Sequence, residues 1–381
     1  MKRRFIPVCE PTLRGNELKY VSDCVKTNWV SSFGKYIGEF EKGFSAYCGV
    51  NHGITCCNGS IAIHLALESA GIGPGDEVIV PDFTMIASVN SILYTGAKPV
   101  FVDAEMSTWC MNSNLIEEKI TKRTKAILPV HIYGHPVDMD KVIKIVKQNN
   151  LLIIEDAAEA HGALYKGKKC GSLSDASAFS FFANKIITCG EGGMVLTNDD
   201  KIADKARLLK NYAFTKQRYV SEEIGYNYRM TNMQAAIGLA QLEKIDELVE
   251  CRISNAHLYN NLLSSIKGVI TPPCAEWAKN VYWMYGILID EKFGMGRDKL
   301  REKLLEAGID TRAFFVPMHL QPVYNKPNNK FSNLPDTKGK FPVSEYLGNN
   351  GFYLPSSSHL TKDNIIYIAD TIKSAKEENE K

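Results

Sequence analysis

Four short apolar runs constrain this fold more than any other feature of the chain. They are Gly75-Asp76-Glu77-Val78-Ile79-Val80-Pro81, Lys98-Pro99-Val100-Phe101-Val102-Asp103, Lys125-Ala126-Ile127-Leu128-Pro129-Val130 and Leu151-Leu152-Ile153-Ile154. Each stops at polar or proline punctuation, and none alternates apolar with polar residues. That pattern suits strands buried on both faces, as in a parallel sheet covered by helices. Helical stretches lie between the runs, so the order is β-α-β and the expected class is α/β with a mostly parallel sheet.

At 381 residues the chain exceeds the size at which a single core stops growing, which predicts two domains. After Asn232 the pattern changes to a long helical run from Met233 to about Leu263, with Ala235, Ala236, Leu239, Leu242 and Ile245 at helical spacing. A smaller α+β unit follows, holding Val281-Tyr282-Trp283-Met284-Tyr285 and Gly286-Ile287-Leu288-Ile289. The expected division is a large cofactor-binding α/β domain over residues 1–245 and a small C-terminal α+β domain over 246–381.

The fourth run leads into Glu155-Asp156-Ala157-Ala158-Glu159. Ligands of open α/β sheets bind beyond the carboxyl ends of the strands, so an acid placed where the run stops is positioned to meet a cofactor. Asp156 is the better candidate of the first two acids; alone, a helix cap or a surface ion pair would account for it better. Lys185 lies downstream in Phe179-Ser180-Phe181-Phe182-Ala183-Asn184-Lys185, ahead of Gly190-Glu191-Gly192-Gly193. Most lysines are solvated surface charges. Among apolar neighbours, however, burial disfavours the ammonium and makes the free, imine-forming amine accessible near neutral pH. An acid able to keep a pyridine nitrogen protonated, paired with such a lysine, suits pyridoxal phosphate chemistry. A phosphate cradle is available at Cys57-Asn58-Gly59-Ser60, which opens the helical stretch Ile61 to Leu67, with Ser180 as a further hydroxyl.

Taken together, these residues resemble the sugar aminotransferases of the DegT/DnrJ/EryC1/StrS group from Pro7 to about Pro355. The resemblance is most specific at Gly15-Asn16-Glu17, Thr27 to Lys35, Glu155 to Gly162 and Asn184 to Thr188. It implies a fold-type I pyridoxal phosphate enzyme, with Lys185 as the imine-forming and proton-shuttling residue. Asp156 would hold the pyridine nitrogen, Glu159 would lie beside the ring hydroxyl, and Gly59, Ser60 and Ser180 would bind the phosphate. It further implies a homodimer with shared active sites, in which Asn227 and Arg229 reach the phosphate side from the neighbouring subunit. Pro129 to Pro136, Gly225 to Asn232 and Phe314 to His319 are similar to the perosamine-forming branch of the group. The implied substrates are glutamate and GDP-4-keto-6-deoxymannose, aminated at C-4. A UDP- or dTDP-linked keto sugar, and a pyridoxal-dependent dehydration, are the alternatives. Dehydrating relatives carry histidine in place of the lysine, so Lys185 speaks for transfer.

The position that usually lays an aromatic ring on the cofactor is Met85, whose polarizable thioether can cover a ring; Phe83, two residues earlier, is the other candidate. For the substrate diphosphate the candidates are Lys35, Lys216, Arg218 and Arg312, and His319 is a candidate sugar contact.

Other classes are disfavoured. A net charge of +2 without a concentrated basic run argues against nucleic acid as a partner. The ten cysteines show no ligand-type spacing, so no metal is expected. Gly190-Glu191-Gly192-Gly193 is not the glycine pattern of a nicotinamide-binding turn. No apolar stretch is long enough to span a bilayer, and the basic N-terminus leads into no signal-peptide core, so the expected location is the cytoplasm without membrane attachment.

Overall fold

The computed structural model describes residues 5–217, 219–326 and 331–379. Seven strands form the main sheet, in the spatial order His52–Cys56, Gly193–Thr197, Ala176–Ser180, Leu152–Asp156, Thr124–Ile127, Glu77–Pro81 and Lys98–Val102. The four strands expected from the apolar runs are all present and lie side by side, paired in parallel. Only Gly193–Thr197 runs against its neighbours. The connection from Ser180 to Gly193 contains no helix, and without a helical crossover the chain returns antiparallel. The helices between strands cover the sheet, as the fully apolar strand burial requires.

A second, four-stranded antiparallel sheet orders Val269–Ile270, Tyr285–Ile289, Gly351–Leu354 and Arg312–Ala313. Its strands pack against helices Arg297–Glu306 and Lys362–Asn379 around Tyr259, Ile287, Leu300, Phe352 and Ile368. The chain is therefore α/β with a large, mostly parallel sheet and a smaller sheet unit.

One detail differs from expectation. The run from Met233 to Leu263 is two helices, Asn232–Leu242 and Ile245–Leu263. Between them Glu243 is engaged by Asn16 Nδ2 at 2.7 Å and Tyr20 OH at 2.5 Å, and Lys244 leaves helical geometry at φ −116°. Within the smaller unit, Val281 to Met284 precede strand Tyr285–Ile289: the Val281 N–H donates to Gly134 O, and the Tyr282 N–H to Asn280 Oδ1.

The helix break lies beside the expected boundary at residue 245, but contacts cross it. Ile6 bridges to Ile309 and packs in the smaller core, while Trp283, Phe314 and Tyr353 pack in the larger one. Strand Ala278–Lys279 also pairs with Leu164–Tyr165.

Asn232 ties the loop before helix Lys35–Cys48 to the first of the two helices. Its Nδ2 donates to Trp29 O at 2.8 Å, its Oδ1 accepts from the Tyr36 N–H at 3.0 Å, and its own N–H donates to Ser31 O at 2.6 Å. Gly34 has φ +145°, and a Cβ there would lie 2.2 Å from Asn232 Cγ, so only glycine permits this approach. Asn232→Ala strands the buried Tyr36 N–H and the part-buried Trp29 carbonyl. It is expected to lower stability by about 2–4 kcal/mol, read as a lower urea midpoint.

Candidate active site

A cavity of about 640 Å³ opens beyond the carboxyl ends of the central strands, where the two sheet units meet. Asp156 ends its strand and points into it. One carboxylate oxygen accepts from Ser88 Oγ at 2.7 Å and the other from the Ala158 N–H at 3.1 Å. Burial pushes its carboxyl above the ordinary range, partly countered by those two donors. Its neighbour Glu155 faces the opposite side of the sheet, as strand alternation demands. There it accepts from the Gly171 and Leu173 N–H groups and from Ser174 Oγ, and pairs with His131 Nε2 at 2.8 Å. With Cys170, His131 and Glu155 form a donor cluster of metal-ligand type, but these hydrogen bonds already occupy both Glu155 oxygens.

Lys185 projects its amine to 3.6 Å from Glu159 Oε1, with a side chain 10% exposed. Burial lowers its basicity, and Glu159 and Asp156 pull the other way. Glu159 is pushed up to about 7 by burial, against the opposing pull of Lys185 and of the Tyr133 N–H, which donates to Oε2 at 2.7 Å. Tyr133 has φ +53°, a strained value for a tyrosine; this backbone supplies the N–H that meets the acid.

At another wall, helix Gly59–Ser69 begins. Asn58 caps it by accepting from the Ile61 N–H at 3.0 Å, while the first-turn N–H groups of Gly59 and Ser60 have no intrahelical acceptor. A Cβ on Gly59 would come within 2.5 Å of Ser180 Cβ, so glycine is what brings the helix start beside the Ser180 hydroxyl. An anion cradle, a buried carboxylate without an ion pair among the described residues and a desolvated amine thus border one cavity. That donor set suits a molecule carrying a phosphate, a protonatable ring nitrogen and an aldehyde.

Met85 lines the cavity and is 45% exposed, whereas Phe83 is 1% exposed and packs against Tyr133, Phe314 and Phe315 in the core. Of the cationic candidates, Arg312 lines the cavity. Lys35 lies outside it, 3.0 Å from Asp23, and Lys216 is exposed on a loop that does not line it. Arg218 lies outside the described residues. Asn227 bridges to Asn211, and Arg229 donates to Asn211 Oδ1 at 2.6 Å and sits over the Tyr212 ring; neither enters the cavity of its own chain.

His319, a candidate either to contact the sugar or merely to pack, is buried outside the cavity lining, with Nδ1 2.8 Å from Asp82 Oδ2, its backbone N–H donating to Asp82 Oδ1 and its ring against Phe341. Its imidazole is committed to partnering a buried acid that desolvation pushes up to about 6 and His319 pulls down. Trp283, Tyr353 and Asn184 also line the cavity and were not singled out from sequence. Trp283 sits in an aromatic, apolar string that reads as core, and only its distance from Lys185 in space reveals it.

The profile of the DegT/DnrJ/EryC1/StrS aminotransferase family matches residues 11–373. The chain is 48% identical to a GDP-perosamine synthase of Caulobacter vibrioides over 372 residues, covering 96% of this chain and 98% of that one. It is 45% identical to a GDP-perosamine synthase of Escherichia coli O157:H7, covering 97% and 98%. Among solved structures it is similar to the PLP form of Spr1654, a putative sugar aminotransferase from Streptococcus pneumoniae, with TM-score 0.90, 26% identity and coverage of 99% and 100%. It is also similar to S. venezuelae DesV, with TM-score 0.88, 34% identity and coverage of 95% and 94%. The chain belongs to the DegT/DnrJ/EryC1/StrS aminotransferase family.

Proposed function

We propose that this aminotransferase uses pyridoxal phosphate to move an amino group from glutamate to the C-4 keto group of GDP-4-keto-6-deoxymannose, giving GDP-perosamine. The observation that carries the reading is the buried Lys185 amine, 3.6 Å from Glu159 in a cavity also bordered by Asp156 and the start of helix Gly59–Ser69. The choice of sugar is supported by the near full-length likeness to two GDP-perosamine synthases.

When bound, pyridoxal phosphate supplies an aldehyde that combines with amines and a ring that takes up an electron pair from the substrate carbon. The N–H groups of Gly59 and Ser60 and the hydroxyls of Ser60 and Ser180 would hold its phosphate. The Asp156 carboxylate would keep the ring nitrogen protonated, Glu159 would serve the ring hydroxyl, and Met85 would cover the ring. Lys185 Nζ takes a proton from the substrate carbon and returns it on the other side of the transfer, a role that its burial favours by making the free amine accessible. Arg312 is the diphosphate-binding candidate that the cavity itself contains. Asn227 and Arg229 act from a second copy of the chain. Exposed Trp29, Phe33 and Ile224, at 56%, 65% and 85%, support a homodimer that covers them. The domain division at residue 245 remains part of this reading, as does a cytoplasmic location; no helix among the described residues is long and apolar enough to cross a membrane.

Incubation with glutamate and GDP-, UDP- or dTDP-linked 4-keto-6-deoxy sugars, with products weighed by mass spectrometry, is expected to give the amine from the GDP sugar. Turnover confined to another nucleotide would replace the substrate. Lys185→Ala should reduce turnover by about 10²–10⁴-fold and abolish the visible absorption of lysine-linked cofactor. An unimpaired variant would sink the reading.

Glu159 generates a pH prediction for the cofactor-free protein. Its folded value, about 7, lies above the ordinary carboxyl range. Its stabilising contribution is therefore complete at acid pH and is lost as pH rises towards and through 7. Glu159→Gln removes that ionisation, so the fall in melting temperature between about pH 5 and 8 should be shallower in the variant than in the parent chain.

A further inference from the structure

The Lys185 amine, carried by the connection between strands Ala176–Ser180 and Gly193–Thr197, lies 3.6 Å from the centroid of the Trp283 ring, which comes from the other side of the junction. The indole is fixed at both ends. Its Nε1–H donates to Asn184 O at 2.8 Å, the carbonyl just before the lysine. Its own backbone carbonyl accepts from Arg252 Nη1 at 2.6 Å. Arg252 is itself 3% exposed, with Nε donating to Ser358 Oγ at 3.0 Å and Nη2 3.6 Å from Cys9 Sγ. Trp283 is 4% exposed and the Lys185 side chain 10%, so both are largely shielded from water.

An indole face attracts an ammonium and is indifferent to a neutral amine, and the attraction is strongest where water is excluded. We propose that Trp283 is a positioning residue that holds the Lys185 nitrogen against its ring and sets how readily that nitrogen takes up and releases the proton it carries. The proposal rests on Lys185 being the reacting amine. The other groups facing the nitrogen are Glu159 and Asp156, which favour its charge. Cys9 and Arg252 lie on one flank, and His161, kept neutral by burial that pushes it down to about 3, lies on another. The carboxylates attract the charge from one direction; the indole adds a surface that restricts where the freed amine rests.

The test uses the full chain without cofactor, so it reads the lysine independently of turnover. Lys185 acetylation by acetic anhydride is followed by peptide mass spectrometry across pH in the parent chain, Trp283→Phe and Trp283→Leu. Loss of the ring in Trp283→Leu removes stabilisation of the ammonium, and Lys185 should label roughly tenfold faster near neutral pH. Trp283→Phe keeps a ring face but loses the N–H bond to Asn184, and its profile should stay near that of the parent. Identical profiles for parent and Trp283→Leu would overturn the proposal. So would a shift in Trp283→Phe as large as in Trp283→Leu, which would assign the effect to the hydrogen bond. A measurement on the native indole covers failure of a variant to fold: the emission difference between parent and Lys185→Met should titrate with the labelling midpoint, and no difference refutes the contact. In loaded enzyme, the acid limb of kcat should move to lower pH in Trp283→Leu, with KM for glutamate little changed. Activity retained by Lys185→Ala would defeat the functional reading alone, since labelling would still report on Trp283.

Discussion

Holding an ammonium and two carboxylates out of water around one cavity costs several kcal/mol per ion unless each finds partners. Much of the local architecture is the provision of those partners. Ser88 and the Ala158 N–H answer Asp156; the strained Tyr133 backbone answers Glu159; Glu159 and the Trp283 ring answer Lys185. The compensation is incomplete, as the raised carboxyls and the weakened lysine base indicate. Incomplete compensation is what makes such groups useful, because it brings their proton exchange closer to neutral pH.

How far this was legible in sequence follows from the range of the interactions. The strand ending at Asp156 was readable because both-face burial leaves an unbroken apolar run, and strand alternation then separates Asp156 from Glu155. Lys185 was worth little from its own neighbours and gained weight only when Asp156, Ser60 and Ser180 were read beside it. The choice between Met85 and Phe83 was not readable. Strand alternation does not apply there, since the strand stops at Pro81 and Met85 caps the next helix, which turns the two side chains apart. His319 was a sequence candidate for the sugar and Arg312 for the diphosphate. A buried acid, Asp82, more than two hundred residues away in the chain, engages His319 outside the cavity, whereas Arg312 lines it.

The family segments Thr27 to Lys35 and Gly225 to Asn232 illustrate a different limit. They pack on each other through Gly34 and Asn232, and Cys57 donates its N–H to Tyr228 O at 3.0 Å, fixing this assembly behind the helix start. Their shared geometry therefore supports the cradle from outside. Asn227 lies on their exposed side, outside the cavity of its own chain, and a surface so placed acts on what another molecule brings to it.

The junction between the two units carries the remaining consequence. Lys185, Asp156 and Glu159 belong to the large sheet unit, whereas Trp283, Arg312 and Tyr353 come from beyond residue 246. The Arg252 guanidinium joins the two sets: it grips the Trp283 carbonyl, and Trp283 in turn grips the carbonyl preceding Lys185. A shift of the small unit by even an ångström would thus change the surroundings of the lysine nitrogen as well as the shape of the cavity mouth. The smaller unit is part of the proton chemistry, and the continuous core across the junction is the physical means by which its position is held.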